Sequence, residues 1–294
     1  MEAPFAEIRS EGMRIPVGRR VELPGRGATF VRESGADSGG PTVLLVHGWM
    51  ASGGLNWAAS FDPLGQRFHA VAPDLRGHGR GIRTRRRFRL EHCADDLAAL
   101  VEELGCGPVI VCGYSMGGLI AQLLWRRHPD AVQGIVLCAT TRVFVVGARE
   151  RYVLGTSANY LAAGVRASRL WPAWHRLAGA PLAAIRPRRR AASVSRWAMA
   201  EIRRHDARQM IEAVHASSHF DSRAWVGDID VPTAVVVTTR DRAIPPKEQR
   251  KLAAAIPGAT IHEVDDDHDA CAHPSFASAL VDACLDVSSR VPPA

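Results

Sequence analysis

Apolar runs of strand length alternate with helix-like segments along most of this 294-residue chain. That alternation places it among α/β proteins with a parallel sheet covered on both faces. The runs Thr42–Val46, Val109–Cys112, Val132–Ala139 and Thr233–Val237 hold too few polar residues to leave one face in water. One run, Pro108-Val109-Ile110-Val111-Cys112, leads directly into Gly113-Tyr114-Ser115-Met116-Gly117-Gly118, a glycine-flanked serine at a strand-to-helix corner. The length suits one α/β domain with an insertion, or at most two domains, and 47% hydrophobic residues suffice for a substantial core.

The elements follow in order. Val21–Glu33 reads as two short strands around Pro24-Gly25, an N-terminal hairpin that adds antiparallel edge strands. Thr42–Val46 is a buried strand stopped by His47-Gly48, and Phe68–Pro73 is another, leading into Asp74-Leu75-Arg76-Gly77-His78-Gly79. Leu90–Leu104 has helical periodicity, with Leu97, Leu100, Val101 and Leu104 on one face and Gly105 as its stop. After Val109–Cys112, a helix is expected over Leu119–Arg127, ending near Pro129, and then the strand Val132–Ala139. The alternation resumes at Thr233–Val237, with a helical stretch Lys247–Ile256, the strand Thr260–Val264 and a closing amphipathic helix over Ser275–Val287.

Between the last two groups it breaks. Residues 141–226 are rich in Ala, Leu and Arg and carry Trp171, Trp174, Trp197 and Trp225. The expected organisation is therefore a core of residues 1–140 and 227–294, with 141–226 as a helical cap over the C-terminal edge of the sheet. Its tryptophans either pack it on the core or face a pocket suited to an apolar acyl group, with Trp171 and Trp174 as candidate walls. The cap holds fifteen Arg against five acids, +10 of a net +7, so the rest of the chain is slightly acidic. A solvated helical surface is the plainest reading of that charge, and peripheral contact with an anionic membrane is the next. No nucleic-acid motif accompanies it, so nucleic acid is not an expected partner.

No run of eighteen apolar residues exists, and Met1–Arg20 has no continuous apolar segment of signal-peptide type. The six cysteines form no C-x-x-C pair and no zinc-like spacing with histidine. The chain therefore reads as cytoplasmic, disulfide-free and without a bound metal.

The Ser115 segment has the form of a nucleophile elbow, which holds one hydroxyl at the apex of a strained turn. A serine hydroxyl needs a base within hydrogen-bond reach and a third group to orient that base. In the order Ser, acid, His, the acid candidate is Asp241, just beyond the strand Thr233–Val237 and flanked by Arg240 and Arg242. The base candidate is His268, in Asp265-Asp266-Asp267-His268-Asp269, where the aspartates are expected to favour imidazolium. His273, before Pro274, reads as a turn or capping residue. An oxyanion hole needs two main-chain N–H groups: that of Met116, after the nucleophile, and that of Trp49, in His47-Gly48-Trp49. His47 reads as a brace for that loop, and Trp49 and Tyr114 as further candidates to wall the substrate pocket.

With His47-Gly48-Trp49, the Asp74–Gly79 segment, the Ser115 elbow, Asp241 and His268 all in order, the chain resembles the α/β-hydrolase superfamily. It is similar to the branch with a small helical cap that includes esterases, lipases and cofactor-free haloperoxidases. The resemblance runs from about Val21 to the last helix. It implies an eight-stranded, mostly parallel sheet, no cofactor, and a structural role for Asp74–Gly79. Two departures stand out: Asp267 precedes His268 where the family usually has glycine, and the cap is rich in arginine. Ser115 argues against the relatives that use an aspartate nucleophile, and Gly48-Trp49-Met50-Ala51 lacks the Gly-Gly-Pro-Gly of proline iminopeptidases. The expected function is hydrolysis of a small-molecule carboxylic ester with an apolar acyl group, a lipid or thioester included, with perhydrolase, haloperoxidase or acyltransferase chemistry as alternatives. A ligand-binding protein with little turnover is the alternative of another class.

Overall fold

The computed structural model describes residues 8–10, 13–144 and 191–292. A short antiparallel pair, β1 (Ile8–Ser10) and β2 (Met13–Ile15), stands apart from the main sheet. The main sheet contains β3 (Gly18–Leu23), β4 (Gly27–Ser34), β5 (Thr42–Val46), β6 (His69–Pro73), β7 (Val109–Tyr114), β8 (Val132–Cys138), β9 (Thr233–Thr238) and β10 (Thr260–Val264). Its order is β10-β9-β8-β7-β5-β6-β4-β3. The pairings from β10 across to β6 are parallel, while β4 pairs antiparallel with both β6 and β3, so the hairpin closes one end of the sheet, as its reading implied.

The expected alternation is visible in how the strands divide their side chains. Along β5, Leu44 and Val46 enter one apolar cluster, and Val43 and Leu45 enter the other. Along β7, Val109 and Val111 face the first, and Ile110, Cys112 and Tyr114 the second. The first layer is filled by α3 (Leu90–Leu104) and α4 (Met116–Arg127), the second by α1 (Gly53–Trp57), α2 (Phe61–Gly65) and the C-terminal helix. A strand buried on both faces has no polar side to display, which is why these runs are continuously apolar.

Chain order reverses between β5 and β7. β6 adds on one side of β5, and the chain then crosses to place β7 on the other. At such a switch point the loops leaving the two strands diverge and open a crevice at the carboxyl ends. The segment after β5, the Ser115 turn after β7 and the loops after β9 and β10 all emerge at that edge.

Some elements differ from expectation. The helix after the elbow begins at Met116 and not at Leu119, because the turn at Ser115 feeds it directly. α1 and α2 were not expected: each has five residues, too few to show a helical period.

Past β8, residues 145–190 lie outside the described residues, and with them Trp171, Trp174 and the run Arg188-Arg189-Arg190. The described remainder contains α5 (Ala191–Ile202) and α6 (Ala207–Ser218). Asp206 caps α6 by accepting from Arg208 and Gln209 N–H. Two buried acids tie these helices to the loop before α3. Glu201 accepts from Arg80, and Glu212 accepts the Phe88 N–H at 2.9 Å. Arg208 departs from the solvated-surface reading: its guanidinium is buried and donates to the Thr84 and Arg85 carbonyls. Trp225 stacks on Trp125 in the core, so at this tryptophan the packing role holds. α7 (Pro246–Ala253) and α8 (Pro274–Arg290) complete the chain. Among the described residues no helix is long and apolar enough to cross a membrane.

Candidate active site

Ser115 sits between β7 and α4 with φ 52° and ψ −118°, a conformation that side-chain-bearing residues rarely adopt. Its neighbours enforce this. A Cβ on Gly117 would lie 2.1 Å from the Val46 carbonyl oxygen, and one on Gly113 would lie 2.4 Å from that of Gly117. The corner is tied to the end of β8 by the Ser115 N–H on the Cys138 carbonyl and to the residues just after β8 by the Thr140 hydroxyl on the Ser115 carbonyl.

The geometry brings three distant residues together. His268 Nε2 is 3.0 Å from Ser115 Oγ, and its Nδ1 is 2.8 Å from Asp241 Oδ2. A carboxylate accepts only, so Nδ1 carries the proton and Nε2 faces the serine as the acceptor. The Asp241 carboxylate is fully buried. Oδ1 accepts from Ala243 and Ile244 N–H at 2.8 Å each, and Oδ2 accepts from the Thr238 hydroxyl. Burial alone would raise its pKa, but the bonds from His268, Ile244 and Thr238 and the His268 charge outweigh burial and hold it below the ordinary carboxylate value. Thr238 and Gln249, whose amide also donates to Oδ2, are supports that sequence reading missed. A buried polar residue at a strand end or on a helix face carries no distinguishing pattern.

The aspartates around His268 have partners of their own. The carboxylates of Asp265, Asp266 and Asp267 are engaged by Arg240, His273 and Arg242. Of these acids and Asp241, only Asp241 bonds the His268 ring. The departure at Asp267 has a local reason: its Oδ1 accepts the His268 N–H at 2.8 Å and the Arg242 N–H at 3.0 Å, closing the turn. His273 precedes α8, as expected, and its ring pairs with Asp266 at 2.6 Å. Asp266, Asp269 and His273 have metal-like spacing, but this group is partly exposed and the Asp266–His273 pair already satisfies two of its members.

The loop after β5 lies against the elbow. A Cβ on Gly48 would be 3.4 Å from that of Ser115. His47 is buried, and its two ring nitrogens have fixed roles. Nε2 accepts the Leu75 N–H at 2.9 Å, so Nδ1 bears the proton and donates to the Gly48 carbonyl at 2.8 Å. Burial lowers the pKa of this ring to about 3, so it is neutral at any ordinary pH. Asn56 accepts the Gly48 N–H at 2.9 Å, a second clamp that no sequence signal marked. The Gly48 carbonyl and the Trp49 N–H belong to one planar trans peptide and point in opposite directions. Holding the carbonyl therefore aims the N–H. Among the described residues neither the Trp49 nor the Met116 N–H has a hydrogen-bond acceptor.

The Trp49 side chain is 46% exposed, with its indole N–H on the Met210 carbonyl. Tyr114 requires a correction. It is only 3% exposed, packs against Trp57 and Phe276, and donates its hydroxyl to the His268 carbonyl at 2.9 Å. Alternation along β7 points it into the apolar layer, where it supports the histidine loop and does not wall a pocket. Asp74 has a structural place too: Oδ1 accepts from Gly53 N–H and Oδ2 from Arg80 N–H.

A family model for the alpha/beta hydrolase fold matches residues 41–272. The chain belongs to the α/β-hydrolase fold family. Among curated proteins it is 31% identical over 230 residues to a pimeloyl-[acyl-carrier protein] methyl ester esterase of Chromobacterium violaceum, covering 76% of this chain and 85% of that one. Among solved structures, the enol-lactonase of Burkholderia xenovorans superposes with TM-score 0.69 at 24% identity, covering 92% of this chain and all of that one. A bromoperoxidase of Bacillus anthracis gives TM-score 0.69 at 17% identity, covering 91% and 98%. These two structures share the fold with this member of the family.

Proposed function

We propose that the protein is a serine hydrolase that cleaves carboxylic esters through an acyl-enzyme. The observation that carries this reading is the continuous chain Asp241–His268–Ser115, with contacts of 2.8 and 3.0 Å. His268 Nε2 takes the Ser115 proton as Oγ attacks the ester carbonyl carbon. The carbonyl oxygen becomes an oxyanion and accepts from the Met116 and Trp49 N–H groups. The C–O bond to the alcohol breaks, the alcohol leaves with the proton from His268, and Ser115 holds the acyl group. A water then gives its proton to His268 and attacks the acyl carbon, releasing the acid and restoring the serine. Asp241 keeps the imidazole in the required tautomer throughout.

The methyl ester esterase relative supports an acyl ester with a small alcohol as the substrate class. Trp49 and Met50, both nearly half exposed beside the elbow, offer apolar surface to the acyl chain. Residues 141–226 serve in this reading as the cap, with Trp171 and Trp174 as walls.

The test is hydrolysis of p-nitrophenyl esters over a series of acyl lengths by the wild type and by Ser115→Ala. Loss of about 10³-fold or more in kcat for the variant is the expected result. A variant within tenfold of the wild type, or a wild type inactive on the whole series, would overturn the proposal.

A further inference from the structure

A cavity of about 370 Å³ lies where the β3–β4 hairpin meets the loop after β6. Arg20, Arg80, Arg83 and Arg204 line it, beside Gly79 and Ile82. None of them belongs to the Ser115 site. They come from three separate stretches: β3, the loop between β6 and α3, and the residues just after α5. Four guanidinium groups around one cavity repel one another unless anions compensate them.

The acids nearby compensate them only in part. Glu201, almost wholly buried, is 2.7 Å from Arg80 and 3.5 Å from Arg204, so one carboxylate serves two arginines. Asp74 already accepts two main-chain N–H groups, and burial pushes its pKa up to about 6. Among the described residues the Arg20 guanidinium has no hydrogen-bond or ion-pair partner, and it is exposed. Arg83 is held in place, its Nη2 donating to the Gly79 and Arg204 carbonyls. Burial lowers the pKa of Arg83; Asp206 and Asp74 oppose this, and the like charges of Arg20 and Arg204 add to it.

We propose that this cavity binds a phosphate-type oxyanion, held by Arg20, Arg83 and Arg204. Guanidinium groups arriving from separate chain segments suit a tetrahedral anion with oxygens on several sides better than a planar carboxylate, which one fork can saturate. Because Arg204 follows α5 while Arg20 and Arg83 belong to the core, the bound anion fastens the two together. The site stands whether or not Ser115 is a nucleophile. A free phosphate or phosphate ester and a phosphomonoester lipid headgroup share this chemistry.

The experiment is thermal unfolding of the full chain titrated with inorganic phosphate, sodium chloride holding the ionic strength constant. A rise in Tm beyond that in chloride is expected, growing with the logarithm of phosphate concentration above the dissociation constant, as for any ligand that binds only the folded state. Arg20→Gln weakens the apparent affinity about tenfold, the loss of one charge-assisted contact. Arg203→Gln removes another exposed arginine that does not line the cavity, and it leaves the affinity within about twofold. If Arg20→Gln melts early in chloride alone, Arg20→Lys, which keeps the charge and loses the fork, is titrated in its place and weakens binding in the same direction. No rise in Tm beyond that in chloride at equal ionic strength, or equal weakening by the Arg20 and Arg203 variants, overturns the site. Co-sedimentation with phosphatidylcholine vesicles containing phosphatidic acid then assigns the source. Sedimentation that inorganic phosphate competes away assigns a headgroup, and phosphate binding without sedimentation assigns a soluble phosphate; both uphold the site.

Discussion

His47 makes two different hydrogen bonds, and substitution can separate them. Asparagine places its amide N–H where Nδ1 stands, so His47→Asn keeps the donor to the Gly48 carbonyl and orphans the Leu75 N–H. Glutamine reaches the Nε2 position, so His47→Gln keeps the Leu75 acceptor and frees the Gly48 carbonyl. If the ring aims the Trp49 N–H, His47→Gln lowers kcat by about 100-fold with KM little changed, within the range for losing one oxyanion donor. His47→Asn keeps kcat within about tenfold but loses roughly 1–3 kcal/mol of stability from an unsatisfied buried N–H. Steady-state kinetics and urea unfolding of both variants decide it, and an equal fall in kcat would reduce His47 to packing. The sequence placed His47 as a brace, but which atom it braces depends on Leu75, 28 residues away.

At the scale of elements, the elbow depends on β5 and α4 lying in backbone contact. Gly117→Ala would drive a Cβ against the Val46 carbonyl, and Val46 cannot retreat without breaking its pairing with Gly113. A loss of at least about 3 kcal/mol is expected, at or beyond the upper end for overpacking against side chains. Gly105→Ala is the comparison: the C-cap of α3 has φ 57° and open space, so only its left-handed backbone is strained, at a cost of about 1 kcal/mol. Urea unfolding of the two variants measures the gap, and similar losses would contradict the backbone-contact argument. The strands of the main sheet, α3 and α8 were legible because their apolar spacing is long enough to count. The five-residue α1 and α2 were not, since Trp57 and Phe61 read the same in a loop as in a helix turn.

For the molecule as a whole, buried titratable groups set how stability depends on pH. His47 and His78 stay neutral in the fold because burial lowers their pKa, to about 3 for His47 and well below 6.5 for His78. The unfolded chain takes up these two protons near 6.5, so acidification below that value favours unfolding. Asp74 works the other way. Its raised pKa, about 6 against 3.8, means the fold holds the extra proton between those values. Across these three groups the difference is about one proton, and His92 and His205, also lowered by burial, add in the same direction, so stability is expected to rise with pH from about 4.5 to 6.5 by at least roughly 1.4 kcal/mol per unit. Urea unfolding at intervals across that range measures the slope. A flat or falling profile would show that the histidines are not held neutral.

Local pattern alone determined that this chain forms a parallel α/β sheet, that Ser115 occupies a strained corner, and that Asp241 and His268 lie on loops at the same sheet edge. Those features rest on apolar period, on glycine beside serine, and on chain order, all of which are written within a few residues. Contacts between distant residues were decided only by the tertiary structure. It turned Tyr114 under the histidine loop, engaged Asp265, Asp266 and Asp267 with other partners, buried Arg208 on main-chain carbonyls, and gathered Arg20, Arg83 and Arg204 around one cavity. A side chain's partner is fixed by which segments the sheet brings together, and no spacing along one segment records that.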